Sequence, residues 1–162
     1  MARLVLTDAS PLIGLARIDG LPWLHLLFGT VLMPPEVRRE VLPGRGLPDE
    51  EAIVAAEAAG WLRQTEPPPA GPELPDLDEG EAACIRIALA NPDPSLLLMD
   101  ERAGRAIAAE HGLQVAGTAA IIGMAKTRGL IASARQAFAR LHGSDFRISA
   151  RVIETVLERV GE

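Results

Sequence analysis

Cysteine occurs once, at Cys84, lysine once, at Lys126, and tyrosine not at all. A lone thiol can form no internal disulfide, and no cysteine cage for zinc can be built around it. The three histidines, His25, His111 and His142, are far apart in the chain. None has a companion that would make it a metal ligand or a general base, and the last two stand beside Gly112 and Gly143, as residues at helix ends do. Long apolar runs are missing too. Leu24 to Phe28 and Leu96 to Met99 fall far short of the ~20 residues that cross a bilayer, and Met1-Ala2-Arg3 leads directly into a strand-like stretch. The expectation is a cytoplasmic protein with no membrane partner. Positive charge is also in deficit: the net charge of −6 argues against coating of nucleic acid by bulk electrostatics, so any polyanion must be held locally.

What the chain has is apolar material and punctuation. With 162 residues, 48% hydrophobic and 23% charged, it can bury its own core, and one domain over 1–162 is expected. Arg3 to Thr7 is a short apolar run, ended by Asp8-Ala-Ser-Pro11 with Ser10 as N-cap and Pro11 at the first helical position. Helix 22–28, strand 30–33, helix 35–42 and helix 49–59 follow, then a strand over 61–65. Glu66-Pro-Pro-Pro-Ala-Gly-Pro72 is a stiff surface connector. A helix from Asp78 to Ala90 precedes the clearest buried strand, 95–99, and then helix 102–111, strand 113–116 and a helix from Thr118. Two serine-capped helices, about 133–142 and 149–160, end the chain. Strands alternating with helices predict right-handed crossovers and a mostly parallel sheet covered on both faces, with ligand chemistry at the carboxyl ends of its strands.

Acids stand at those ends. Asp8 follows the first strand, Asp100 follows 95–99, Glu40 lies in the helix after Met33, and Glu81 lies in the first turn of the helix opened by Asp78. Each has a structural explanation as well. Asp8 fits an Asx turn, Asp100 an N-cap, and Asp78-x-x-Glu81 a capping box in which Asp78 keeps the capping role. Glu36 complements the start of its helix. If Asp8, Glu40, Glu81 and Asp100 converge at ~6 Å separations, each pair costs ~3 kcal/mol at an effective dielectric near 20, and the set ~17 kcal/mol. That exceeds the ~5–15 kcal/mol stability of a domain. Such a cluster must hold protons at raised pKa values or bind a hard cation, and all-oxygen donors select Mg²⁺ or Mn²⁺. Arg38 and Arg39 flank Glu40, Arg86 lies past Glu81, and Arg102 and Arg105 follow Asp100, where guanidinium groups can take phosphates or simply pair with neighbouring acids.

The chain resembles the PIN-domain proteins, in particular the predicted nucleic-acid-binding subgroup related to bacterial and archaeal VapC-type toxins. The resemblance is carried in order by Leu4-Val-Leu-Thr-Asp-Ala-Ser-Pro-Leu-Ile13, Val37-Arg-Arg-Glu-Val41, Leu77-Asp-Glu-Gly-Glu-Ala82, Leu97-Leu-Met-Asp-Glu-Arg-Ala-Gly-Arg105, Gly117-Thr118 with Ala125-Lys-Thr-Arg-Gly-Leu130, and Phe146-Arg-Ile-Ser149. It implies a three-layer α/β/α sandwich in which Asp8, Glu40, Glu81 and Asp100 hold one or two Mg²⁺ or Mn²⁺ ions, Glu81 standing where many relatives have Asp. It also implies metal-dependent cleavage of single-stranded RNA, as in a toxin paired with an antitoxin protein, and a homodimer. Ser10 and Thr118 match hydroxyl positions that support the site, and Arg38, Arg39, Arg102 and Arg105 are substrate-binding candidates. Two departures stand out, Gly104 for the usual Ala and Ala120 for a second glycine, and neither is expected to touch an acid. The valines at 152, 156 and 160 are expected to face the core rather than a second subunit or an antitoxin. The rival readings are a catalytically silent PIN-like module that binds RNA or an antitoxin, and a phospho-acceptor receiver domain. The receiver needs a lysine just after a late strand, whereas Lys126 falls well inside a helix.

Overall fold

Strand β1 (Leu4–Thr7) occupies the middle of the sheet, and its residues lose almost all exposure beyond Leu4. The structure is a computed structural model that describes residues 3–162. After β1 come helices α1 (Ala9–Arg17) and α2 (Leu21–Phe28), strand β2 (Val31–Met33), helices α3 (Pro35–Val41) and α4 (Pro48–Ala58), and strand β3 (Leu62–Gln64). The second half holds α5 (Glu79–Ala90), β4 (Ser95–Leu98), α6 (Arg102–Glu110), β5 (Gln114–Ala116), α7 (Thr118–Thr127), α8 (Ala134–Gly143) and α9 (Ala150–Arg159). All pairings are parallel, in the order β3-β2-β1-β4-β5. Helices cover both faces: α5 packs on β1 and β4 beside α3 and α6, while α1 packs among α4, α7 and α8. The expected three-layer α/β/α sandwich is therefore present, with a sheet that is parallel throughout.

The strand order fixes where chemistry can gather. From β1 the chain moves outward through β2 to β3, then returns to the other side of β1 as β4. The sheet thus reverses its winding between β1 and β4, and the crevice outside their carboxyl ends is the switch point of the fold. Register places Thr7 opposite Leu98, and the Asp8 amide donates to the Leu98 carbonyl at 2.9 Å. The next residues of both strands are thereby brought to one crevice.

The first helix corrects one expectation. It begins at Ala9, with Asp8 in the extended backbone of the N-cap position and no side-chain capping bond; Ser10 is not the cap. Pro11 is accommodated because the first-turn amides of a helix have no intrahelical acceptor to lose. The capping box at Asp78 and Glu81 and the serine caps at Ser133 and Ser149 form as the sequence predicts. In α9, Val156 is buried against Gly123 of α7, where an added Cβ would meet its methyl at 3.0 Å. Val160 is half-buried, while Val152 remains 44% exposed, so the valine stripe is only partly absorbed by the core. Among the described residues no helix is long and apolar enough to cross a membrane.

Candidate metal centre

Asp8 is carried into the crevice by β1 and is only 3% exposed. Its Oδ1 is buried without a hydrogen-bond partner. Across from it, the first turn of α5 delivers Asp78 and Glu81. The Glu81 amide donates to Asp78 Oδ1 at 2.8 Å, and Glu81 Oε1 accepts from the Asp78 amide at 3.2 Å. Glu81 Oε2, like Asp8 Oδ1, is buried and unpartnered. One ligand oxygen from each of Asp8, Asp78 and Glu81 lies within 4.8 Å of the others. Orphaned buried carboxylate oxygens carry the full cost of lost hydration, so converging ones call for a cation or for protons.

Two glycines make room for this convergence. At Gly80 a Cβ would come within 2.9 Å of Asp8 Oδ1 and 3.1 Å of a Val37 methyl. At Gly104 it would collide with Glu81 Oε2 and lie 2.7 Å from Met99 Sδ. The substitution of Gly104 for the usual Ala therefore does touch an acid, contrary to the sequence expectation. It is a clearance for the Glu81 carboxylate rather than a loosening of α6. Orphaned oxygens, glycine clearances and a purely carboxylate donor set together fit a hard divalent ion.

The electrostatics agree with the geometry. Burial raises the Asp8 pKa to about 7, and the charges of Asp78, Glu81 and Glu40 push it the same way, against a lowering hydrogen bond from the Ala9 backbone. Glu81 is raised chiefly by burial and also by Asp78. The Glu40 carboxyl is raised by desolvation and by Asp78. Cys84 is fully buried behind the cluster, its Sγ 3.5 Å from the Thr7 carbonyl, and burial followed by the neighbouring acids drives its thiol far from ionisation. It belongs to the core.

Of the four expected acids, Asp8 and Glu81 meet directly. Glu40 sits on the exposed side of α3, near enough for its charge to act on Asp8. Asp100 lies at the end of β4, outside the three-acid group, and both its oxygens are engaged: Thr118 donates its amide to Oδ1 and its hydroxyl to Oδ2, each at 2.7 Å. Thr118 thus orients Asp100. Asp78, assigned from sequence to capping alone, caps α5 and joins the cluster with the same carboxyl group. Glu36 does more than complement the start of its helix. Its Oε1 is buried and unpartnered, and its charge reaches Cys84. Its position one turn before Glu40, on the same helical face, was the available signal.

The arginines divide. Arg38 is bound to Glu57 of α4 through two hydrogen bonds of 2.8 and 3.1 Å, so it ties α3 to α4. Arg86 donates to the Pro72 carbonyl. Arg39 and Arg102 are exposed and form no ion pair among the described residues. Arg105 donates to the Met99 carbonyl at 3.1 Å, and its Nη1 and Asp100 Oδ1 both crowd Gly117. Ser10 faces the cleft beside Asp100. Two of the three histidines have structural partners: His25 stacks on Trp61 at 5.7 Å, and His142 Nε2 contacts the Ile148 backbone. Lys126 lies within α7 and bonds the Ala132 carbonyl, which removes the receiver-domain reading.

A family model described as a PIN domain matches residues 4–162. No curated protein and no solved structure matches the chain.

Proposed function

The chain belongs to the PIN-domain family, and from that premise we propose that it is a metal-dependent ribonuclease that hydrolyses phosphodiester bonds of single-stranded RNA, as the toxin of a toxin–antitoxin pair. The observation that carries the nuclease reading is the gathering of Asp8, Asp78 and Glu81, each with an oxygen within 4.8 Å of the others, at the switch point of the sheet, where Asp8 Oδ1 and Glu81 Oε2 are buried without partners. Asp8, Asp78 and Glu81 would hold Mg²⁺ or Mn²⁺, with Glu40 and Asp100 completing the acidic rim. When bound, the ion supplies Lewis acidity to a phosphoryl group and to the water that attacks it.

The chain's own residues set the rest. Asp8 and Glu81 are fixed by burial, so their oxygens need no reordering when substrate arrives. Thr118 locks the Asp100 carboxylate in one rotamer with both oxygens charge-assisted. Ser10 offers a hydroxyl at the mouth, and Arg39 and Arg102 are free to meet phosphate oxygens. Arg38 is committed to Glu57 and is withdrawn from that role. The toxin role, an antitoxin partner and a homodimer rest on the motif resemblance.

The test is cleavage of labelled single-stranded RNA with Mn²⁺ and with EDTA. Cleavage should require the metal, and Asp8→Asn should lower it by about 100-fold or more, since it deletes a charge aimed at the centre of the reaction. Undiminished cleavage by Asp8→Asn ends the proposal. No cleavage by the wild-type chain, with RNA binding retained, supports the silent-module alternative instead.

A further inference from the structure

The amino ends of β4 and β5 frame a second pocket of about 330 Å³, at the end of the sheet opposite the acidic centre. The helices that precede these strands arrive with their carboxyl ends: Leu89, in the last turn of α5, and Gly112 and Leu113, just past α6, line the pocket. The carbonyls at such ends carry partial negative charge and favour a cation. Most helices of this chain meet that charge with a base of their own, since the last turns of α1, α2, α3, α7, α8 and α9 each hold an arginine, lysine or histidine. Neither α5 nor α6 does. The one ionisable side chain of the lining is Asp93, which is exposed and forms no ion pair among the described residues. The bases beside it are His111, at the end of α6, and Arg3, next to Leu4, whose amide donates to the Pro94 carbonyl; both lie outside the lining.

The pocket also holds an orphaned hydroxyl. Ser95, the first residue of β4, is 7% exposed, and its Oγ is buried without a hydrogen-bond partner. Buried hydroxyls are nearly always bonded, so one without a partner at the wall of a pocket is a point where a ligand can bond. Asp93 is held beside it by an Asx turn, its amide donating to Asn91 Oδ1 at 2.9 Å. Gln114 adds a carboxamide from the edge strand β5, and Leu89 and Leu113 add hydrocarbon. Two helix carboxyl ends and a carboxylate repel anions. A single carboxylate among neutral oxygens and leucines is also a poor site for a bare divalent ion, which takes about six oxygens. The set suits a cation that brings its own hydrogen-bond donors and an apolar stem.

We propose that this pocket binds a small organic cation, an ammonium or guanidinium group on a short aliphatic stem, with Asp93 accepting its charged N–H groups, Ser95 Oγ accepting one more, and the stem lying against Leu89 and Leu113. The group can belong to a free aliphatic amine or to a basic side chain of a protein partner. The site lies the length of β4 away from Asp100 and rests on neither the metal nor the nuclease reading.

The experiment follows the backbone amide signals of the full chain by NMR during titration with butylamine, with N-acetylarginine amide, and with butanol as the uncharged counterpart. Both cations should move the signals of Asn91, Asp93, Ser95, Gly112 and Gln114 along a saturable curve in the millimolar range or below, and butanol should not. Asp93→Asn, an exposed change that leaves the core alone, should weaken binding about tenfold, and Ser95→Ala about fivefold. Tighter binding of butylamine assigns the pocket to free amines, and tighter binding of the blocked arginine assigns it to a partner's side chain; either supports the proposal. Equal shifts with butanol, unchanged affinity in either variant, or shifts confined to Asp8, Asp78 and Thr118, which would place the cation at the acidic centre, overturn it. Because nothing is cleaved in this measurement, its failure would leave the nuclease reading untouched.

Discussion

Gly104 shows how much one hydrogen atom in place of a methyl can decide. Helix propensity alone says that alanine at this position should stabilise α6 by up to ~1 kcal/mol. The position where that methyl would go is already taken by Glu81 Oε2 and Met99 Sδ. The ends of a glutamate and of an unbranched methionine can both move, so the fold should tolerate Gly104→Ala, with a stability change within about 1 kcal/mol by thermal unfolding in EDTA. The carboxylate, however, must leave its place in the cluster. Titration calorimetry with Mn²⁺ should therefore show about tenfold weaker binding or worse, as for loss of support to a metal ligand. Equal Mn²⁺ affinity in Gly104→Ala and wild type would mean that Glu81 Oε2 is not a ligand. At Gly80 the obstruction is Asp8 Oδ1 and a Val37 methyl together, and the second of these, packed in the core, has less freedom to yield.

At the level of elements, α5 shows one carboxylate in two roles. Asp78 accepts the Glu81 amide as an N-cap and contributes an oxygen to the acidic group. The roles separate on substitution. Asn caps a helix about as well as Asp, so Asp78→Asn should hold the melting temperature within a degree or two while weakening Mn²⁺ binding, whereas Asp78→Ala should also lose about 1 kcal/mol of stability. If both variants bind metal like the wild type, Asp78 is a cap and nothing more. This double use explains what could be read in advance. The order of strands and helices was legible because apolar period and Gly, Pro and Ser punctuation are local signals, and β4, buried at every position, announced itself. Asp8 and Glu81 were legible because strand ends and inward helical faces are also local. Asp78 was hidden by a sufficient local explanation, and Glu36 likewise by the helix start it serves. Glu40 stands between Val37 and Val41 in sequence, yet those two are buried while Glu40 itself is exposed. The partners of Arg38 and Asp100 come from 19 and 18 residues away, and no periodicity reports pairings across elements.

For the molecule as a whole, the acidic centre ties folding stability to pH and to metal. Asp8 titrates at about 7 in the folded chain against 3.8 for an ordinary aspartate. Between those values the native state holds a proton that the unfolded chain has released. Stability of the metal-free protein should therefore fall as pH rises from about 4 to about 7, by at most about 4 kcal/mol from this group. Glu81 and Glu40, both raised, act in the same direction. Replacing Asp8 by Asn removes the penalty, so in EDTA the variant should melt several degrees above the wild type at pH 8 and little differently at pH 4, given about 2–4 °C per kcal/mol for a chain of this size. Mn²⁺ should do for the wild type what the substitution does. At 100 times its dissociation constant an ion adds about 2.7 kcal/mol, and it adds less at low pH because protons compete for the same oxygens. Scanning calorimetry at pH 4 to 8, with and without Mn²⁺, reads both effects. A metal-free wild type whose stability relative to Asp8→Asn does not decline over this range would mean that the Asp8 carboxylate is not held in a desolvated, acid-lined crevice, and the need for a cation to neutralise it there would fail with it.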